Sequence, residues 1–227
     1  MFVKGKKALE KFNYIVMFDL ASKITGVCLW DIAKGCPVET TVLKVAQAYE
    51  SSVFELYTKI DNYFQELQKK VNLSEVLVCK EAMPAQLHGG ASTIQTFIAL
   101  ARSHAVLDLY IAMHDIDSYD ATGIYPISTH AYFRQLNSWK NDVKVDKQDI
   151  SKYVAKTYGL ENISLDESDA VFLAQTLVEY KWNKDIDESI KNIRHHKKEL
   201  TAPYAIAECD EKIGELYDLK YYPKEAL

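Results

Sequence analysis

Four acidic residues carry the chemistry open to this chain: Asp19, Glu81, Asp166 and Asp169. The apolar run Tyr14-Ile15-Val16-Met17-Phe18 reads as a strand buried on both faces, and it runs straight into Asp19. A carboxylate there is costly to desolvate unless positive charge meets it, although an Asp taken alone is also a common turn residue that hydrogen-bonds its own loop. Glu81 follows the short buried strand Val76-Leu77-Val78-Cys79 and Lys80, at a strand carboxyl end, where ligand sites of open α/β sheets collect. Asp166 and Asp169 open a helix whose apolar stripe is Ala170, Leu173, Ala174, Leu177 and Val178. Counting back along that stripe by three and four residues lands on both acids, so they lie on the face that turns inward. Acids in a first turn ordinarily complement the helix dipole, but that role does not require them to share the buried stripe.

Several carboxylates converging on one cleft repel one another, and hard divalent cations relieve that repulsion. Oxygen-only ligands suit Mg²⁺, with Mn²⁺ as a substitute, and disfavour zinc. Two such ions roughly 3.5–4 Å apart support in-line attack of water on a phosphodiester. A Ser-His-Asp or Cys-His site has weaker support, because the six His residues stand in no nucleophile context. Lys147 falls in the first turn of an expected helix over 146–158, where a cation opposes the dipole. That placement points to a role other than helix stability.

The elements that must position these residues read as follows. Residues 21–26 form a turn and Val27-Cys28-Leu29-Trp30 a returning strand, which puts Asp19 at the centre of the first strand of a hairpin. A third strand over 39–45, rich in β-branched residues, completes an antiparallel meander. Val53, Leu56, Tyr57, Ile60, Phe64 and Leu67 recur at helical spacing within 51–71. After Glu81 comes a breaker-rich loop ending in Gly89-Gly90. It reads as flexible, and the two glycines are secondary candidates for close backbone approach to a DNA phosphate. A helix is expected over 92–113 behind a Ser92 cap, an edge strand over 124–129 containing Pro126, and a helix that stops at Gly159. Ser164-Leu165-Asp166-Glu167 matches a capping box for a helix running to about Trp182. Past Asn183 charge and tyrosine dominate, which reads as a helical extension.

At 227 residues, 48% apolar and 26% charged, the chain can bury a sizeable core. A net charge of −5 gives no global support for phosphate binding. Cations are local: Lys4, Lys6, Lys7 and Lys11 near the N-terminus, and Lys191, Arg194, His195, His196, Lys197 and Lys198 farther on. Taken alone, either group reads first as a solvated helix face. The cysteines Cys28, Cys36, Cys79 and Cys209 show no C-x-x-C pairing, in keeping with a reducing cytoplasm. No signal-peptide pattern and no membrane span are expected.

The order of these elements resembles the RNase H-like nuclease superfamily, and within it the RuvC type of Holliday-junction resolvase in its divergent bacteriophage versions. The matching stretches are Phe18-Asp19-Leu20-Ala21-Ser22 with Thr25-Gly26-Val27, then Val76 to Glu81, then Asp166-Glu167-Ser168-Asp169-Ala170. The resemblance covers about residues 13–182, leaving 183–227 as a charged helical extension. It implies an α/β fold with a mixed five-stranded sheet flanked by helices. It also implies a homodimeric, two-metal endodeoxyribonuclease acting on branched DNA in a cytoplasm, that of a bacterial host if the source is a phage. Asp19, Glu81, Asp166 and Asp169 match the family's metal-binding quartet. Lys147 matches a basic residue that faces the scissile phosphate, and Arg134 is the candidate for a further basic DNA contact in the preceding strand region. Bacterial members carry an aromatic wedge shortly after the Glu, whereas this chain has Met83-Pro84-Ala85. Relaxed, structure-selective cleavage of four-way, three-way and flap DNA is the expectation that follows. Two other classes are a non-catalytic branched-DNA-binding relative and an actin-like ATPase. The ATPase needs a glycine-rich D-x-G-x-(S/T) turn, which Asp19-Leu20-Ala21-Ser22 lacks.

Overall fold

The structure, a computed structural model, describes residues 2–3, 11–46, 51–83, 94–119 and 126–218. Its sheet is built from β1 (Phe2–Val3), β2 (Tyr14–Asp19), β3 (Ile24–Asp31), β4 (Cys36–Lys44), β5 (Val76–Lys80) and β6 (Ser118–Tyr119). The spatial order is β1-β6-β5-β2-β3-β4. The meander β2-β3-β4 is antiparallel, and β5 adds to β2 in parallel. The expected count of five strands needs correction. Four strands of five residues or more form the body, and two strands of two residues extend one edge.

Side chains alternate across a pleated strand, and here that alternation splits the core in two. Val16, Phe18, Val27, Leu29, Val76 and Val78 face one layer, made by Leu56, Ile60 and Phe64 of α1 (Ser51–Leu67) and Leu107 and Tyr110 of α2 (Ile94–Met113). Ile15, Met17, Cys28, Trp30, Leu77 and Cys79 face the other. That second layer holds α3 (Pro126–Leu136), α4 (Lys147–Tyr158) and α5 (Leu165–Gln175). Continuing the alternation, Asp19 follows Ile15 and Met17, and Glu81 follows Leu77 and Cys79, so both acids point towards the layer that contains α5.

Several expectations change. Asp19 is the last residue of β2 rather than its centre, because β3 already begins at Ile24. Residues 126–129 form the first turn of α3 and not an edge strand; a proline is well suited to a helix's first position, where its missing N–H costs nothing. The Ser92 cap, Gly89 and Gly90 lie outside the described residues. The helix opened by Ser164 does not stop near Trp182. It passes through a π-helical turn (Thr176–Lys181) into α6 (Trp182–Lys197), and α7 (Pro203–Asp218) folds back beside it. Ile186 and Ile190 are buried in the same core cluster as Phe172, and Ile213 and Leu216 pack against it.

α2 also departs from expectation, since its 20 residues are long and apolar enough to cross a membrane by length and composition. Its Ser103, His104, Val106, Leu107 and Tyr110 are buried against the protein, as in a core helix. Its opposite face leaves Ile94, Ile98 and Leu109 between 41% and 69% exposed.

Candidate active site

The cluster is assembled by three local devices. The first is strand register. Phe18 pairs with Lys80 across β2 and β5, and the Glu81 N–H donates to the Phe18 carbonyl at 3.1 Å. The two acids therefore leave adjacent parallel strands at the same level. The second is the N-terminus of α5, where the sequence Asp166-Glu167-Ser168-Asp169 divides its labour by direction. Glu167 closes a capping box with Ser164, accepting from its N–H at 2.9 Å, and it also accepts from Thr40 on β4 at 3.0 Å. Ser168 is fully buried; its hydroxyl donates to the Ser164 carbonyl at 3.0 Å and lies 3.3 Å from Ser151 of α4. Asp166 and Asp169, three residues apart, are left to project together towards β2. The third device is Gly26, the partner of Asp19 across β2 and β3, whose bare Cα lets the backbone of Asp166 lie directly against the sheet.

The outcome is that carboxylate oxygens of Asp19, Asp166 and Asp169 all lie within 4.8 Å of one another. Asp19 is 9% exposed and the Asp169 side chain 13%. Glu81 joins through its neighbour, its carboxyl group lying within hydrogen-bonding reach of Asp19. Burial, then the negative charge of Asp169, raises the pKa of Asp19; burial, then the charge of Asp19, raises that of Glu81. A buried acid beside a half-buried one holds a proton that isolated carboxyls would release at neutral pH. Asp169 is raised as well, chiefly by burial, with Lys147 opposing.

Lys147, at the first position of α4, supplies the local positive charge. Its ammonium lies 2.5 Å from Asp169 and 3.5 Å from Asp166. Burial would lower its pKa, but hydrogen bonding to Asp169 and the surrounding acids win and hold it above the ordinary lysine value. A capping box between Asp146 and Asp149 fixes the helix start that carries it. One ammonium against four carboxyl groups leaves the cluster with surplus negative charge. The donors are all oxygen, so Asp19, Glu81, Asp166 and Asp169 fit hard divalent cations rather than zinc.

Arg134 is not among these groups. It sits on α3, where a strand was expected, and its Nε donates to the Val143 carbonyl at 2.6 Å, tying down the loop before α4. One turn earlier on α3, the half-buried His130 lies close enough to Asp169 for each to act on the other's charge. Burial, then Arg134, lowers the pKa of His130, with Asp169 opposing. Sequence reasoning missed His130 because no helix was expected beyond the strand read over 124–129; the helical four-residue spacing from Arg134 is the signal that could have found it.

No protein-family model matches the chain, and no curated protein matches it in sequence. Its fold does match solved structures. Thermus thermophilus RuvC aligns over 72% of this chain and 92% of its own, at 12% identity and a TM-score of 0.51. The same protein in complex with a Holliday junction substrate aligns over 72% and 90%, at 11% identity and a TM-score of 0.51. The yeast mitochondrial Holliday junction resolvase Ydc2 aligns over 92% and 84%, at 12% identity and a TM-score of 0.48. This chain shares the mixed α/β fold of the solved RuvC structures.

Proposed function

We propose that this protein is a divalent-cation-dependent endodeoxyribonuclease that cuts four-way junctions and other branched DNA, with residues 13–182 carrying the chemistry. The observation that carries the reading is the cluster itself: three carboxylates from β2 and α5 within 4.8 Å of one another, with Glu81 beside Asp19. Four acids gathered at the carboxyl end of a buried sheet cost stability when they stand alone, and a cation site gives that cost a purpose. Asp19, Glu81, Asp166 and Asp169 would hold Mg²⁺, or Mn²⁺ in its place; the bound cations would supply an activated water and charge stabilisation for the departing oxygen. Water adds to phosphorus as one P–O bond to sugar breaks, leaving a phosphate monoester and a free hydroxyl. Lys147, half exposed at the rim, pairs with Asp169 in the protein alone and gains a second anion when a phosphodiester enters.

The RuvC neighbour solved with a Holliday junction substrate supports a branched-DNA ligand. A homodimer fits the exposed apolar stripe of α2, where Ile94, Ile98, Ala105, Leu109 and Ala112 share one side of the helix. That no disulfide joins Cys28, Cys36, Cys79 and Cys209 suits a reducing cytoplasm. The test is a gel assay of labelled four-way, three-way, flap and linear duplex DNA, with and without Mg²⁺, on the wild type and Asp19→Asn. Metal-dependent nicking of branched DNA that the variant lacks is the expected result. Absence of cleavage with either cation overturns the proposal, and activity restricted to four-way junctions refutes the broad substrate range.

A further inference from the structure

The pair of helices α6 and α7 has a concave, cationic side that the catalytic reading does not use. Lys191, Arg194 and His195 on α6, with Lys198 just past its end, fall within an arc of about 100° around one helix axis. All four are exposed. With Tyr217 of α7 they line a groove of about 530 Å³. The ordinary explanation, cations complementing the end of a helix dipole, covers the last turn. It does not cover Lys191, nearly two turns before that end. Nor does it explain why the remaining cations are neutralised: Lys197 on another side of α6 is ion-paired with Asp210 of α7, and His196 faces Glu199. Lys191 and Lys198 have no carboxylate partner among the described residues. Arg194 is held in place, its guanidinium donating to the Tyr217 hydroxyl at 2.9 Å and lying 5.8 Å from that ring's centroid. Asp187 at the upstream end is the groove's one acid among the described residues.

We infer that this groove binds the phosphate backbone of a duplex DNA arm, as a contact separate from the acid cluster. The inference rests on the nuclease reading above and deepens it. In a chain of net charge −5, a local set of three or four cations on a rigid helix pair is the surface to which a polyanion is drawn. Its position suits an arm of the same molecule that enters the cluster. Lys191 follows Asp169 by 22 residues of unbroken helix, which puts it no more than about 33 Å farther along the axis, roughly one turn of duplex. A planar guanidinium held beside an aromatic ring and flanked by lysines matches backbone phosphates, which carry no sequence information. The extension therefore adds affinity for long arms without adding base preference.

The experiment compares the full-length wild type with Lys191→Gln/Lys198→Gln on hairpin-closed four-way junctions. One has arms of about six base pairs, about 20 Å and too short to reach the groove, and one has arms of about twenty. Fluorescence anisotropy in Ca²⁺ over a range of salt gives affinity, and Mg²⁺ gives cleavage. The wild type is expected to bind the long-armed junction at least tenfold more tightly, and the variant to lose most of that difference. The slope of log K against log salt should fall by about 2 on long arms only. Cleavage of the short-armed junction should be unchanged. Lys69→Gln/Lys70→Gln, a matched charge removal on the other layer, should alter none of this. Equal affinity and slope for wild type and Lys191→Gln/Lys198→Gln on long arms overturns the inference while leaving the nuclease standing, and the groove then serves another polyanion such as an acidic peptide. A wild type that neither binds nor cuts either junction overturns both.

Discussion

A Cβ placed on Gly26 would stand 2.0 Å from the backbone carbonyl oxygen of Asp166 and 2.6 Å from its carbonyl carbon. β3 and the start of α5 thus touch through bare backbone, and Asp166 comes beside Asp19 because nothing stands between the helix and the strand that carries Asp19's partner. The atoms met are main chain, fixed by the Ser164–Glu167 capping box and by Thr40, so relief requires the helix itself to move. Gly26→Ala is expected to cost about 1–3 kcal/mol, typical of forcing a methyl into a packed site. It should lower the urea midpoint with little change in slope. It should also weaken Mg²⁺-dependent cleavage beyond what the stability loss explains at a temperature where the variant stays folded. An alanine variant with wild-type midpoint and activity would show that the approach is looser than described.

The acid pair gives a pH dependence whose sign can be worked out. Burial and Asp169 push Asp19 up to about 7 in the folded protein, against 3.8 for an ordinary aspartate. Between those limits the unfolded chain has released this proton and the folded chain retains it, so stability falls as pH rises through the window. Asparagine mimics the neutral acid at every pH. Without divalent cations, Asp19→Asn should melt like the wild type at pH 4 to 5 and be more stable by about 1–3 kcal/mol at pH 8. Adding Mg²⁺ should raise the melting temperature of the wild type more than that of the variant. A variant less stable than the wild type at pH 8 would make Asp19 a structural residue.

Lys147 has a different signature. Its ammonium neutralises Asp169 and Asp166 in the cation-free protein, yet its side chain is 55% exposed and its removal leaves no cavity. Lys147→Gln should slow cleavage by at least tenfold while changing junction affinity by less than about threefold, the loss of one phosphate contact among several. Lys147→Arg, which keeps the charge on a broader head, should recover part of the rate. Equal losses in affinity and rate would recast Lys147 as an ordinary backbone contact.

What the sequence made legible and what it hid follow from how far each signal reaches. The capping box at Ser164 and the apolar stripe behind Asp166 and Asp169 are local patterns, and α5 forms where they say. The period-2 alternation of β2 and β5 likewise sends Asp19 and Glu81 to one face. Gly26 was legible as a turn glycine and as part of the Thr25-Gly26-Val27 resemblance, but the reason for it was not, since its constraint is a helix 140 residues away. Residues 126–129 misled because β-branched residues and a proline suit an edge strand as well as a helix start, and tertiary packing of Tyr132 and Phe133 against Phe172 decides for the helix. That choice is what hid His130. The exposed side of α2 was hidden for the opposite reason: with apolar residues on both faces, periodicity alone does not say which face is buried.

That outer face of α2 yields the last prediction. Ile98 and Leu109 are 41% and 55% exposed and stand three turns apart on one side of the helix, opposite the buried Ser103, Val106, Leu107 and Tyr110. If two copies meet along this stripe, Ile98→Glu/Leu109→Glu places like charges in the interface and separates them. Both positions are exposed and lie outside the buried core, so the isolated chain should remain folded. Light scattering should show the wild type at twice the chain mass and the variant at the mass of one chain. On a four-way junction held in a supercoiled plasmid, the dimer should release linear product from paired cuts, while the separated chains should accumulate singly nicked circles. A wild type with the mass of one chain refutes the homodimer, and a variant that keeps the wild type's mass moves the interface away from α2.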